Sequence, residues 1–143
     1  MPALGIAVLI LLVLWQLASS RTSRGNRARG RKARQAENEA ERLLEQQGYR
    51  IVDRQVTMDW PMEVDGQAVD ARLRLDLLVE RKGKHYAAEV KSGSVARVTH
   101  PDTRRQLLEY LLACEVDGVL LVDMEQHAIR EVDFPLLWKR HID

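Results

Sequence analysis

The chain has 143 residues with 22 basic and 21 acidic side chains, a formal net charge of +1, and is long enough for one domain with a modest core. The charge is unevenly placed. Arg21, Arg24, Arg27, Arg29, Arg31, Lys32 and Arg34 come before Glu37, the first acid, so residues 35–143 hold 15 basic against 21 acidic side chains, a net −6. A fold of that sign meets nucleic acid only through local basic patches or bound cations. The single Cys114 excludes an internal disulfide, a zinc knuckle or a cysteine-ligated iron–sulfur cluster within one chain.

Residues 1–20, MPALGIAVLILLVLWQLASS, carry no charge and one strongly polar residue, Gln16. Twenty helical residues span roughly 30 Å, about the hydrocarbon thickness of a bilayer, so a transmembrane helix is expected here. Ala18-Ser19-Ser20 would also suit a signal-peptide cleavage site. An uncleaved anchor is favoured because no Lys or Arg precedes the apolar run and seven follow it. The positive-inside rule then puts the N-terminus outside and the rest in the cytoplasm, on a single-pass cell (inner) membrane protein. Residues 21–35, RTSRGNRARGRKARQ, have no apolar period and read as a basic flexible linker, suited to anionic headgroups or to the phosphates of a nucleic acid.

Residues 36–143 form the expected domain. Ala36, Ala40, Leu43 and Leu44 recur at helical spacing, with Gly48 as the stop. Val56, Met58, Trp60, Met62 and Val64 then alternate along a strand pair broken near Pro61, and Asp65-Gly66 makes a turn. Val69, Ala71, Leu73, Leu75, Leu77 and Val79 share one face of the next strand, with Arg72, Arg74, Asp76 and Glu80 on the other. RKGK (81–84) turns the chain into the strand HYAAEVK. Pro101 opens a helix to about Glu115 with Leu107, Leu108, Leu111 and Leu112 as its core stripe. GVLLVD (118–123) reads as a buried strand and AIREVDF as an edge strand. The order implies an α/β fold with a mixed sheet.

Chemistry concentrates at YAAEVKSGS (86–94). In a strand Glu89 and Lys91 project to the same face and Val90 to the other. A Glu-x-Lys triplet alone is uninformative, since one arises by chance in about half of chains this long, and Glu80-Arg81-Lys82 is a second copy. Context separates them. Glu80 and Lys82 flank a turn glycine, whereas Glu89 and Lys91 end an apolar strand. In the hairpin around 81–84, Asp76 and Glu89 fall on neighbouring strands with like-facing side chains. Two carboxylates that close repel unless a cation lies between them, and Mg²⁺ or Mn²⁺ takes oxygen ligands of this kind. A neighbouring Lys then completes the requirements of phosphodiester hydrolysis. His85, His100, His127 and His141 have no ligand spacing. Arg72, Arg74, Arg104 and Arg105 are candidate phosphate contacts.

LDLLVERKGKHYAAEVKSG (75–93) resembles the core of the PD-(D/E)xK, or restriction-endonuclease-like, nucleases, with Leu75 in place of the proline. Twelve residues separate Asp76 from Glu89 and Glu37 precedes Gly48 by eleven, spacings similar to archaeal Holliday-junction resolvases. RRQLLEYLLAC (104–114) is similar to the Gln-x-x-x-Tyr motif of RecB-type nucleases. The resemblance covers roughly 36–123 and implies an α-β-β-β-α-β core. It implies a Mg²⁺ (or Mn²⁺) ion held by Asp76, Glu89 and the Val90 carbonyl, with Glu37 (favoured over Glu41) contributing directly or through water. Lys91 would be the base or charge stabiliser, Gln106 would orient Lys91 or the attacking water, and Tyr110 would lie one turn on as a further DNA-side candidate. The membrane anchor is similar to that of membrane-tethered nuclease-related proteins. A Mg²⁺-dependent deoxyribonuclease is therefore expected, with DNA and the membrane as partners and a homodimer as the candidate assembly. The alternatives are a non-cutting nuclease-like module that holds DNA or a protein at the membrane, and an adaptor acting through its basic linker alone.

Overall fold

A computed structural model describes residues 29–139, with side chains through residue 137. The segment expected to cross the membrane, 1–20, lies outside the described residues. Among those described, no helix is long and apolar enough to cross a membrane. The chain divides into two compact units, Met1–Gln35 and Ala36–Asp143. Residues 29–46 are helical (α1), so the end of the stretch expected to be a flexible linker is ordered as helix from residue 29. Arg, Lys, Ala and Gln, which dominate 29–35, are all good helix formers.

The second unit is a mixed α/β fold. After α1 come β1 (Arg50–Val64), β2 (Gln67–Arg81), β3 (Lys84–Lys91), α2 (Pro101–Ala113), β4 (Gly118–Asp123), β5 (Ala128–Val132) and the short α3 (Pro135–Lys139). The five strands lie in one sheet in chain order. Neighbours are antiparallel except β3 and β4, which run parallel because α2 carries the chain back between them. Gly48 ends α1 with φ of 85°. Its N–H bonds the Glu45 carbonyl at 3.0 Å and the Tyr49 N–H bonds that of Leu44 at 3.0 Å, the paired closure that a left-handed glycine permits. The β1–β2 and β2–β3 turns each hold two left-handed residues, Asp65-Gly66 and Lys82-Gly83, the type I′ geometry that matches strand twist.

Core forms on both faces of the sheet. Ala40 and Leu44 of α1 cluster with Leu77, Val79, Tyr86, Ala88, Leu120 and Val122. Leu107, Tyr110 and Cys114 cluster with Leu75, Ala87, Val119 and Leu121. Because helices cover both sides of β4, every one of its residues is buried, which explains its unbroken apolar run.

Three details depart from the periodicities. β1 continues through Pro61 without a break. It is an edge strand, where the missing N–H of proline leaves no ladder bond unmade. The apolar stripe of β2 does not stay on one side, since Leu77 and Val79 pack with α1 and Leu75 packs with α2. The changeover falls at Asp76, across from Gln55, whose φ of 52° interrupts the regular pleat of β1. In α2 the buried positions are Thr103, Leu107 and Tyr110, while Leu112 is 58% exposed. A buried tyrosine whose hydroxyl is bonded to β2 and β3 fixes the rotation of that helix.

Candidate active site

The site assembles where β2 passes from pairing with β3 to pairing with β1 alone. β2 and β3 pair from Leu77↔Ala88 outward to the turn, so Asp76 and Glu89 occupy the next rung of that register. Opposed residues of an antiparallel pair share a face, and this face looks toward α2. The Asp76 Oδ2 accepts the backbone N–H of Val90 at 2.9 Å. That bond fixes one carboxylate oxygen and leaves the other open. Lys91 Nζ lies 2.5 Å from Glu89 Oε1, with Glu89 3% and Lys91 24% exposed. The predicted trio therefore does come together, with the lysine ammonium at its solvent side.

Behind Glu89 lies a second layer. Tyr110, itself buried, places its hydroxyl 2.9 Å from Glu89 Oε2 and 2.6 Å from the Arg74 carbonyl, and accepts a bond from Gln106 Nε2 at 2.6 Å. One phenolic proton cannot serve both acceptors at once. The phenol therefore donates to Glu89 and to the Arg74 carbonyl in turn, while the Gln106 amide donates to the phenol oxygen. Burial, and next the neighbouring Asp76, push the Glu89 carboxyl above the usual carboxylate range, against the opposing pull of Lys91 and Tyr110. Burial and then Glu89 raise the Tyr110 phenol as well, so it remains a neutral donor.

Other candidates land differently. Gln106 bonds Tyr110 and acts on the site through it, one step removed from Lys91. Tyr110 is too buried, at 1% exposure, to touch a polymer and is a positioning residue. Glu37 does not gather with the two carboxylates: among the described residues no group of three or more His, Cys, Asp or Glu side chains is placed to hold a metal ion. It meets Gln55 instead, whose Nε2 donates to Glu37 Oε1 at 3.2 Å. Glu41 is occupied by Arg54 at 2.7 Å. Arg72 and Arg105 are exposed and sit near Asp59 (3.5 Å) and Asp102 (3.6 Å), and Arg74 and Arg104 are likewise exposed.

Gln55 is the residue that the strand pattern could not single out. The β1–β2 register sets it across from Asp76, its backbone is left-handed, and its buried Oε1 has no hydrogen-bond partner. A glutamine in an alternating strand looks ordinary, and only the φ reversal turns this one inward.

No family model and no curated protein matches the chain. Among solved structures the chain is similar to one named "Crystal structure of SSO0001", at 22% identity and a TM-score of 0.47. The match covers 56% of this chain and spans only 40% of that one.

Proposed function

We propose that this protein is a membrane-anchored, metal-dependent nuclease of the restriction-endonuclease-like class, hydrolysing DNA phosphodiester bonds on the cytoplasmic side of the cell membrane. The observation that carries the reading is the pairing of buried Glu89 with half-buried Asp76, closed by Lys91. Two adjacent carboxylates, one with a free oxygen and one held above its usual range by burial and by the other, form a site short of positive charge. A Mg²⁺ or Mn²⁺ ion fits that donor set, since such ions bind through one or two carboxylates and keep their remaining positions for water and phosphate. Asp76, Glu89 and the Val90 carbonyl would hold it, with Gln55 Oε1, across from Asp76 on β1, as the neighbouring neutral oxygen. When bound, such an ion supplies charge neutralisation on the phosphate and an acidified water.

The protein's own groups have separable tasks. The Val90 N–H orients Asp76. Tyr110 and Gln106 orient Glu89 from behind. Lys91 balances Glu89 in the free protein and is the cation best placed to meet a scissile phosphate, since its ammonium is partly exposed beside the two carboxylates. The test is incubation of the purified full chain with single-stranded, duplex and branched DNA, with and without Mg²⁺. Metal-dependent cleavage that disappears in Asp76→Asn supports the reading, and metal-independent or absent cleavage on all three sinks it.

A second reading, the non-cutting module that tethers DNA or a protein, is favoured by one observation: the described residues provide no third His, Cys, Asp or Glu side chain beside the two carboxylates. It requires DNA or partner binding that is unchanged by chelator and by Lys91→Ala.

A further inference from the structure

The β1–β2 hairpin outruns the rest of the sheet. β1 pairs with β2 out to Val64↔Gln67, but β3 pairs with β2 only from Leu77 to Arg81. From Asp59 to Arg72 the ribbon contributes no residue to either buried cluster. Its tip exposes Val64 (50%), Met62 (44%) and Val69 (42%). A two-stranded ribbon is marginal in water by itself, so the unpaired edge of β2 is a docking surface.

The two edges of this ribbon are not equivalent. The outer edge of β1 carries Pro61, the left-handed Gln55 and a register shift between Ile51 and Asp53, all features that discourage strand addition. The β2 edge over residues 67–73 has none of them. The Arg74 carbonyl is capped by Tyr110, so it points away from β1. By strand alternation, Asp70 and Arg72 present their backbone groups to the same open edge.

We infer that this edge pairs with the same edge of a second copy of the chain, antiparallel about a two-fold axis at Ala71, to form a homodimer. The residues determine both the occupant and the register. About Ala71, Asp70 opposes Arg72 of the second copy twice over, and Val69 opposes Leu73 of the second copy. Moving the axis by one residue sets Asp70 against Asp70 or Arg72 against Arg72, and directly opposed like charges are destabilising. Arg72 already leans on Asp59 across the hairpin at 3.5 Å, so in the dimer each arginine lies between two acids. Nucleic acid is a poor alternative occupant, because Asp59, Glu63, Asp65 and Asp70 outnumber Arg72 over residues 59–72.

The experiment is light scattering on the full chain in excess detergent, with circular dichroism as the check on folding. Wild type should be dimeric. Asp70→Arg and Arg72→Asp should each weaken the dimer at least tenfold, and the double reversal should restore it. Independently, Ala71→Cys should form a disulfide with itself under mild oxidation, since facing residues of a non-hydrogen-bonded pair lie within bridging range. Gln67→Cys should not, and the native Cys114 is buried. A monomeric wild type, a dimer indifferent to both reversals, or failure of Ala71→Cys to cross-link would each overturn the proposal.

Discussion

The chain contains two Glu-x-Lys triplets, and the sheet treats them in opposite ways. At Glu80-Arg81-Lys82 the carboxylate sits at a hairpin turn. It accepts Arg50 at 2.9 Å and the Gly83 N–H at 2.9 Å, and those bonds hold it below the usual carboxylate range, the Gly83 bond foremost. At Glu89-Val90-Lys91 the carboxylate is buried between α2 and Asp76, and its affinity for a proton is raised. The same three-residue pattern thus makes a solvated anion in one place and a reluctant one in the other. The difference is the dielectric and the neighbouring charge, and a carboxylate shifted by burial together with a specific charged neighbour is a candidate functional group.

The contrast can be broken by cleavage first. With saturating Mg²⁺ and DNA, Lys91→Ala and Asp76→Asn should each slow cleavage on the order of 10³-fold, the usual scale for losing a charge stabiliser or a ligand. Glu80→Gln and Lys82→Ala should leave the rate unchanged. A loss shared by both triplets would mean that the two do not differ in role.

Stability sharpens it next. Tyr110→Phe keeps the packed ring but strands the Arg74 carbonyl and the Gln106 amide, and should cost about 1–3 kcal/mol in urea unfolding. Arg50→Ala, which removes Glu80's exposed partner, should fall within error, as surface ion pairs usually do.

A smaller effect has opposite signs at the two sites. In chelator at neutral pH, Glu89→Gln should raise the melting temperature, because it replaces a carboxylate whose ionisation the fold opposes. Glu80→Gln should lower it slightly. Raising Mg²⁺ should then stabilise wild type and leave Glu89→Gln unmoved.

The pH dependence is the subtlest measure. Glu89's folded value is raised, so its ionisation penalty is absent in acid, begins as pH passes the unfolded carboxylate value and is complete above the folded one. The advantage of Glu89→Gln should therefore appear only as pH rises through that window. Glu80's folded value is lowered, so its contribution is present above the unfolded value and disappears as pH falls through the folded one. Parallel pH profiles for Glu80→Gln and Glu89→Gln would contradict both assignments.

Local pattern was enough for most of the elements, though not for the helix at 29–35, the unbroken course of β1 through Pro61 or the short α3. Alternation identified β2 and β3, helical spacing the body of α2, turn chemistry the two type I′ hairpins, and an unbroken apolar run the buried β4. It was also enough to bring Asp76 to Glu89, because hairpin register follows from the turn once the strands are known. It failed where a residue's role depends on something distant in sequence. Tyr110 looked like a candidate for touching DNA and turned out buried against Glu89 and Arg74. Gln106 serves Tyr110 and not Lys91.

By itself, then, the sequence determined most of the helices and strands of the second unit, and that one acid–lysine triplet ends a strand running into the core. Tertiary structure alone decided that Glu89 resists ionisation, that Gln55 turns inward across from Asp76, and that β2 keeps an open edge. Each of those depends on burial, backbone twist or a strand that stops short, and such properties arise from contacts between residues far apart in the chain, which no local periodicity encodes.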